Sequence, residues 1–185
     1  MGDELVLGNG RVPELRRYDS AGRLSLIVRW SPQARPVTMT DRRRYSEERA
    51  RFLTWATPDD EETRLLFPAL GEYSEIPTHK PYFDELLLDD HGAIWARAVP
   101  EESLGLFDSR IRPAPVFTET WTVFDSAGIW LGDLRMPDRF ELQAVDRERL
   151  LGVSRDSLDV ETVQVLRIDT IASVDRDSLR QRAKE

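Results

Sequence analysis

Three adjacent residues are the first candidates for chemistry: Asp89, Asp90 and His91. Two carboxylates beside an imidazole are the residue types of a metal site or of acid–base catalysis. The same residues are followed by Gly92 and stand between two apolar runs, which is the pattern of a β-hairpin turn. A metal would need further ligands that converge from elsewhere in the chain. We therefore interpret 89–92 as a turn.

The other ionisable candidates also have structural interpretations. His79 precedes a predicted strand, and no nucleophile or orienting carboxylate can be named around it, so we expect it at the surface or rim. Asp156, Asp159 and Glu161 form a small acidic cluster that could bind calcium. Their spacing matches no calcium-loop signature, and a charged hairpin end explains them equally well. The sequence nominates no catalytic, cofactor-binding or metal-ligating residue and no cofactor, and it has no phosphate loop, nucleophile elbow or zinc-protease motif.

The tryptophans raise a second possibility, that of an aromatic platform for a sugar or a nucleobase. Trp95 and Trp130 follow Asp-x-x-Gly turns, and Trp121 opens a predicted strand. Positions of this kind favour packing between sheets, where a large ring buries much apolar area. We therefore predict that all three lie between sheets.

Charge argues against nucleic acid as a partner. The 185 residues carry 34 acidic and 26 basic side chains, a net charge of −8, whereas a phosphate backbone calls for a basic face. The basic run 42–44 is followed by Glu47 and Glu48, so we interpret it as a solvated helix face. The absence of cysteine excludes disulfides, thiolate metal sites and a cysteine nucleophile.

Length and hydropathy are those of one globular domain. Hydrophobic residues make up 40% of the chain and charged residues 32%, a balance typical of folded proteins. No apolar run approaches the roughly 20 residues of a membrane-spanning helix. The first four residues have neither the basic nor the apolar region of a signal peptide, so we expect no secretory signal in this chain.

The turns organise the predicted elements. The pattern Asp-x-x-Gly occurs at 19–22, 89–92 and 125–128, each time between apolar runs. In such turns, Gly92 and Gly128 are predicted to have a positive φ. Residues 18–22 align with 124–128 without a gap, which is an internal repeat. The central sheet is predicted to have four strands, at 83–88, 93–99, 121–124 and 129–136. Further strands are predicted before it at 5–7, 14–18 and 24–30, and after it at 140–145, 150–154 and 160–168.

Residues 31–82 are interpreted as one long helical insertion between sheets, because prolines interrupt the β pattern there. Thr40 is the predicted N-cap of a helix over 41–55. A second, short helix is predicted to start at 57–58, where proline would take the first helical position. The first helix should pack through one apolar face that contains Tyr45, Phe52 and Leu53.

The patterns Leu88-Asp89-x-x-Gly92-x-Ile94-Trp95, Trp121-x-Val123-Phe124-Asp125-x-x-Gly128 and the ending over 151–163 resemble a known family. They are similar to the closing blades of bacterial six-bladed β-propellers of the NHL-like type. The resemblance covers 5–168 and implies an all-β fold, a partial (open) β-propeller arc of two to three four-stranded blades over 1–168. The helical insertion at about 31–82 interrupts this arc, and a polar tail follows at 169–185.

The same resemblance implies a function. It favours a non-catalytic propeller module, a fragment of a longer six-bladed ring, that binds a protein or a small extracellular ligand. The alternative is a metal-dependent hydrolase or lyase of the six-bladed type whose site needs the missing blades. Relatives of this kind are often exported, so a periplasmic or extracellular full-length parent is expected. The open blade edges, with the strand at 160–168 among them, predict marginal stability or self-association.

Overall fold

The structure is a computed structural model that describes residues 4–44, 46–47, 78–99, 119–146 and 148–168. In these ranges, residues 39–44 and 46–47 belong to one helix, α1, and the chain forms ten β-strands. The strands are β1 (Leu5–Leu7), β2 (Glu14–Tyr18), β3 (Leu24–Arg29), β4 (Phe83–Leu88), β5 (Ile94–Ala98), β6 (Thr120–Phe124), β7 (Trp130–Arg135), β8 (Phe140–Asp146), β9 (Arg149–Arg155) and β10 (Glu161–Arg167).

The strands form three antiparallel sheets, β1-β2-β3, β4-β5-β6-β7 and β8-β9-β10. The all-β prediction is confirmed, and each predicted strand is found with ends within two residues of those expected. The prediction of four strands in the central sheet is confirmed, as is the prediction of three strands in the third sheet. Within the described residues, the first and third sheets have three strands each.

The central sheet is covered on both faces. On one face, Ile94 and Phe124 pack with Leu15 and Val28 of the first sheet. On the other face, a second apolar cluster joins it to the third sheet through Trp95, Trp121, Val123, Phe140, Leu142 and Leu150. Successive residues of a strand point to opposite faces, so the continuous apolar run at Ile94–Trp95 serves both clusters.

The outer faces of the stack stay open in the described part of the chain. In the first sheet, Leu7 lies opposite Arg16 and Arg16 lies opposite Ile27, so the three side chains share the outer face. On this face Leu7 is 48% exposed and Ile27 39%. On the third sheet, Val163 and Val165 are 71% and 62% exposed. Apolar side chains therefore line the faces that no described sheet covers.

Three turns repeat one hydrogen-bonding pattern. In each, the aspartate Oδ1 accepts hydrogen bonds of 2.8–3.0 Å from the backbone N–H groups two and four residues on, at Asp19, Asp89 and Asp125. The fourth residue has a positive φ, 79° at Gly92 and 80° at Gly128 as predicted, and also 74° at Gly22. The side chain thus replaces a backbone partner inside the turn.

Helix α1 begins at residue 39, so the prediction of Thr40 as N-cap is wrong. Thr38 is the cap: its Oγ1 accepts from the Asp41 N–H at 3.2 Å, and its own N–H donates to Asp41 Oδ2 at 2.9 Å. This reciprocal pair is a capping box, with aspartate in the place of the usual glutamate. Arg43 and Arg44 are exposed on the helix, as predicted. The predicted packing residues (Tyr45, Phe52, Leu53), the second helix and the tail 169–185 lie outside the described residues.

Candidate functional site

The strand ends that the two long connections join share one end of the sheet stack. Because neighbouring strands run in opposite directions, the connections alternate between two ends. The strand ends that bound residues 30–82 and 99–119 lie at the same end, which we call the loop end, together with 8–13, 136–139 and 156–160. The Tyr82 N–H donates to the Gly10 carbonyl at 2.8 Å, and the Met136 N–H donates to the Glu119 carbonyl at 2.8 Å. The first bond joins the first sheet to the central sheet at the loop end, and the second extends the β6–β7 pairing of the central sheet there.

Arg35 joins the bases of the two long connections. Its guanidinium donates from Nη1 to the Val99 carbonyl, where 99–119 begins, and from Nη2 to the Pro81 carbonyl at 2.9 Å. Val99 is 1% exposed. A charged donor that satisfies these two carbonyls holds the end of the first connection and the start of the second at a defined spacing.

At the base of the first connection, residues 35–37 pair through backbone hydrogen bonds with residues 78–80, and a buried ion pair lies beside them. The Val37 N–H donates to the Thr78 carbonyl at 2.9 Å, and Lys80 Nζ lies 3.0 Å from Asp41 Oδ1. Lys80 is 7% exposed and Asp41 8%. Hydrogen bonds from the Thr38 hydroxyl and N–H, followed by the attraction of Lys80, lower the pKa of Asp41 to about 2 against the opposing effect of burial.

Glu119 anchors the far end of the second connection. Its Oε1 lies 3.1 Å from Arg97 Nη1, and its Oε2 accepts from Trp121 Nε1 at 3.0 Å. The same Oε2 accepts from the Leu142 N–H of the third sheet at 3.2 Å. One carboxylate therefore links the connection to two sheets.

Arg97 has three carboxylates around it. Besides Glu119, its Nε lies 2.8 Å from Asp84 Oδ1 and its Nη1 lies 2.8 Å from Glu85 Oε2. Burial alone would lower the pKa of Arg97, but the three carboxylates outweigh burial and raise it. Burial raises the pKa of Glu85, against the pull of Arg97 and with support from the other two carboxylates. This network is positioned to hold the loop end in shape.

The sequence candidates are distributed over both ends of the stack. The Asp89 carboxylate accepts from the His91 and Ala93 N–H groups in a hairpin turn, at the end opposite to the loop end. His79 is exposed at the loop end, with Nδ1 3.0 Å from Thr78 Oγ1. Among the described residues, no three His, Asp or Glu side chains come together as a metal-binding group.

The acidic cluster at 156–161 is a fourth copy of the turn. Asp156 Oδ1 accepts from the Leu158 N–H at 2.8 Å and the Val160 N–H at 3.0 Å. Asp159 takes the glycine position with φ 60°, and Glu161 pairs with Arg155 at 2.6 Å. Of the two explanations that the sequence left open, the hairpin end is the one that this geometry fits.

The tryptophan prediction is confirmed in two of three cases. Trp95 and Trp121 are 2% and 0% exposed between the central and third sheets. For Trp130 the prediction is wrong, because the residue is 45% exposed. Trp130 pairs with Phe124 and shares the face toward the first sheet, but it lies on the outermost strand, and the first sheet has no fourth strand in the described residues to cover it.

Sequence reasoning missed the residues that build the loop end. Arg35, Lys80 and Glu119 belong to no recognisable motif, and each has at least one partner more than 20 residues away in sequence. The Thr38-x-x-Asp41 spacing is the one local signal that could have located part of this site, since it is the pattern of a capping box.

Comparison of the chain with protein-family models, with curated proteins and with solved structures found no significant match. In the described residues, no helix combines the length and the apolar character needed to cross a membrane.

Proposed function

We propose that this chain is a non-catalytic binding module, part of a longer six-bladed propeller of the NHL-like type, whose loop end binds a protein or a small extracellular ligand. The observation that carries the proposal is the double hydrogen bond of Arg35, which joins the bases of both long connections. Binding residues are found disproportionately on loops that a rigid scaffold positions.

The anchors of the loop end support this proposal. The Asp41–Lys80 pair and the Glu119 carboxylate are largely buried, so the chain leaves the sheets from positions that buried charges hold in place. A connection with ordered ends loses less conformational entropy when it binds a partner, which favours affinity. The short turns at the other end offer less chain for contacts.

The open faces support the proposal of an arc within a larger ring. The central sheet is covered on both sides, while the outer faces of the first and third sheets expose apolar side chains such as Leu7 and Val163. In a closed propeller, neighbouring blades cover such faces. The same faces and edges support the proposal of self-association.

The test replaces residues 39–77 with a short Gly-Ser linker. The Val37–Thr78 hydrogen bond brings the two ends of this segment close together, so a short linker can join them. Lys80→Met accompanies the replacement, because Lys80 would otherwise lose Asp41 and stay buried without it. The matched control, His91→Ser, changes an exposed position at the opposite end.

Partners captured by the intact chain are identified by mass spectrometry, purified and titrated against each variant. We expect the replacement to raise the dissociation constant at least about tenfold, which is about 1.4 kcal/mol, and the control to leave it unchanged. Circular dichroism checks that the sheets persist in both variants. Binding that survives the replacement, or that is lost in His91→Ser, would contradict the proposal.

A further inference from the structure

Strand β10 is an edge strand of the third sheet. Among the edge strands of the described structure, it has the longest pairing without a register shift. It pairs with β9 over seven consecutive residues without a register shift. The edge strands β3 and β7 of the other two sheets each have a register shift in their pairing with β2 and β6. Strand β10 also contains neither proline nor lysine, the residues with which proteins often protect an edge from pairing.

The backbone groups on the open side of β10 can be assigned from the bonds at its two ends. The Val160 carbonyl accepts from the Asp156 N–H, and the Ile168 N–H donates to the Glu148 carbonyl. Even-numbered residues therefore direct their N–H and C=O groups toward β9. By the alternation of an antiparallel ladder, the odd-numbered residues direct theirs away from β9. These residues are Glu161, Val163, Val165 and Arg167.

The sequence of β10 is complementary to itself when read in the opposite direction. In an antiparallel pair of two copies centred on Gln164, Glu161 of each copy lies opposite Arg167 of the other, and Val163 lies opposite Val165. All four are residues with outward-directed backbone groups, so this register also forms the hydrogen bonds, roughly eight in number. A shift of two residues would place Glu161 opposite Val165 or beyond the strand end and lose the charge pairing.

We propose that β10 pairs with β10 of a second copy of this chain about a two-fold axis at Gln164, which makes one continuous six-stranded sheet. Val163 and Val165, 71% and 62% exposed in the single chain, then form one apolar strip with Leu151 of the same outer face. Glu161 and Arg167 keep their pairs with Arg155 and Glu148 and gain a cross-strand partner. The proposal is independent of ligand binding at the loop end.

Charge variants test the register. Light scattering of the full chain should give twice the 21.4 kDa of one copy. Glu161→Arg or Arg167→Glu places like charges opposite each other at both ends of the pair, so each should raise the dimer dissociation constant about tenfold. The double variant Glu161→Arg/Arg167→Glu restores opposite charges and should recover most of the affinity. Glu141→Arg, on the same face but on β8, is the matched control and should change nothing.

A cysteine scan tests the same axis in a chain that has no native cysteine. Gln164→Cys faces its own copy in a non-hydrogen-bonded pair, with Cα atoms about 4.5 Å apart, and should form a dimer disulfide under mild oxidation. Thr162→Cys is the control, because two copies of residue 162 lie roughly 14 Å apart in this register.

Three outcomes would overturn the proposal. The first is a monomer at all accessible concentrations. The second is a dimer that both charge reversals leave unchanged, which would place the interface on a sheet face or at the loop end. The third is a dimer that crosslinks through Thr162→Cys and not through Gln164→Cys.

Discussion

At the scale of single residues, the three glycines of the repeated turn have the same backbone conformation and different surroundings. A Cβ added to Gly22 would meet no atom within 4 Å, whereas one added to Gly128 would lie 2.8 Å from Val28 Cγ2. Gly92 is intermediate, with Arg17 Nη1 at 3.2 Å. The turn chemistry therefore explains glycine at all three positions, and packing between sheets adds a second reason at Gly128.

We expect Gly128→Ala to be more destabilising than Gly22→Ala. Gly22→Ala should cost about 1 kcal/mol, the strain of a left-handed backbone for a residue with a Cβ. Gly128→Ala should lower the free energy of unfolding by about 1 kcal/mol more, since its methyl group overpacks the interface with the first sheet. Urea denaturation of both variants measures the difference, and equal costs would show that the sheets separate easily at this point.

Asp159 offers the opposite experiment, because it holds φ 60° without being glycine. Asp159→Gly removes this strain in an exposed turn and should raise the free energy of unfolding by about 0.5 kcal/mol, part of the gain being offset by a more flexible unfolded chain. Ser157→Gly, in the same turn at a position without positive φ, should lower it. Thermal melts of the two variants in the same buffer distinguish them, and a destabilised Asp159→Gly would refute the strain argument.

At the scale of elements, helix α1 is tied to the base of its connection by one aspartate. Asp41 completes the capping box with Thr38 and also pairs with the buried Lys80. A local sequence signal and a long-range ion pair thus meet in a single carboxylate. The ionisation of this group should contribute to the stability of the loop end.

The expected pH dependence follows from the lowered pKa of Asp41. The folded pKa of about 2 lies below the ordinary value of 3.8, so the contribution is complete above about pH 4 and is lost as the pH falls toward 2. Asp41→Asn should lower the free energy of unfolding at pH 7 by about 2 kcal/mol, because the buried Lys80 ammonium loses a charged partner. It should also flatten the acid limb of the stability profile between pH 4 and 2.

Thr38→Val provides the control for this profile, since the hydrogen bond from the Thr38 hydroxyl contributes most to the lowered pKa of Asp41. Its removal should shift the acid limb to higher pH while the ion pair with Lys80 persists. Urea melts from pH 2 to 7 give both profiles. An acid limb that is the same in the parent chain and in Asp41→Asn would show that other carboxylates control acid unfolding.

At the scale of the whole molecule, the described sheets form a stack that is covered in its centre, and no described sheet covers either outer face. Each exposed apolar side chain at those faces forgoes roughly 25 cal/mol per Å² of burial. Pairing of β10 with a second copy would bring Val163 and Val165 of the two copies into cross-strand contact, and this association adds stability. Its apparent stability should therefore depend on its own concentration.

We expect the melting temperature to rise with protein concentration, because the β10 pairing stabilises the folded state by mass action. In Glu161→Arg the dependence should weaken, while Glu141→Arg should retain it. Calorimetry over a hundredfold range of concentration measures the effect. A monomer that unfolds cooperatively above about 65 °C at every concentration would show that the open faces need no partner.

The sequence by itself determined the strands and the turns of this protein. The Asp-x-x-Gly turns and the apolar runs around them are local patterns, and the structure confirms the positive φ at Gly92 and Gly128 and the position of each predicted strand. Local chemistry suffices there because the aspartate bonds its own turn and because glycine tolerates a left-handed backbone wherever the chain lies.

Tertiary structure alone decided which of these elements meet. Trp95 and Trp130 both follow a turn, yet one is buried and the other is 45% exposed, because a sheet covers one and not the other. In the same way, Arg35 finds its carbonyl partners 46 and 64 residues away. Neither result can be obtained from local sequence, because burial and long-range hydrogen bonding depend on neighbours that only the packed sheets bring together.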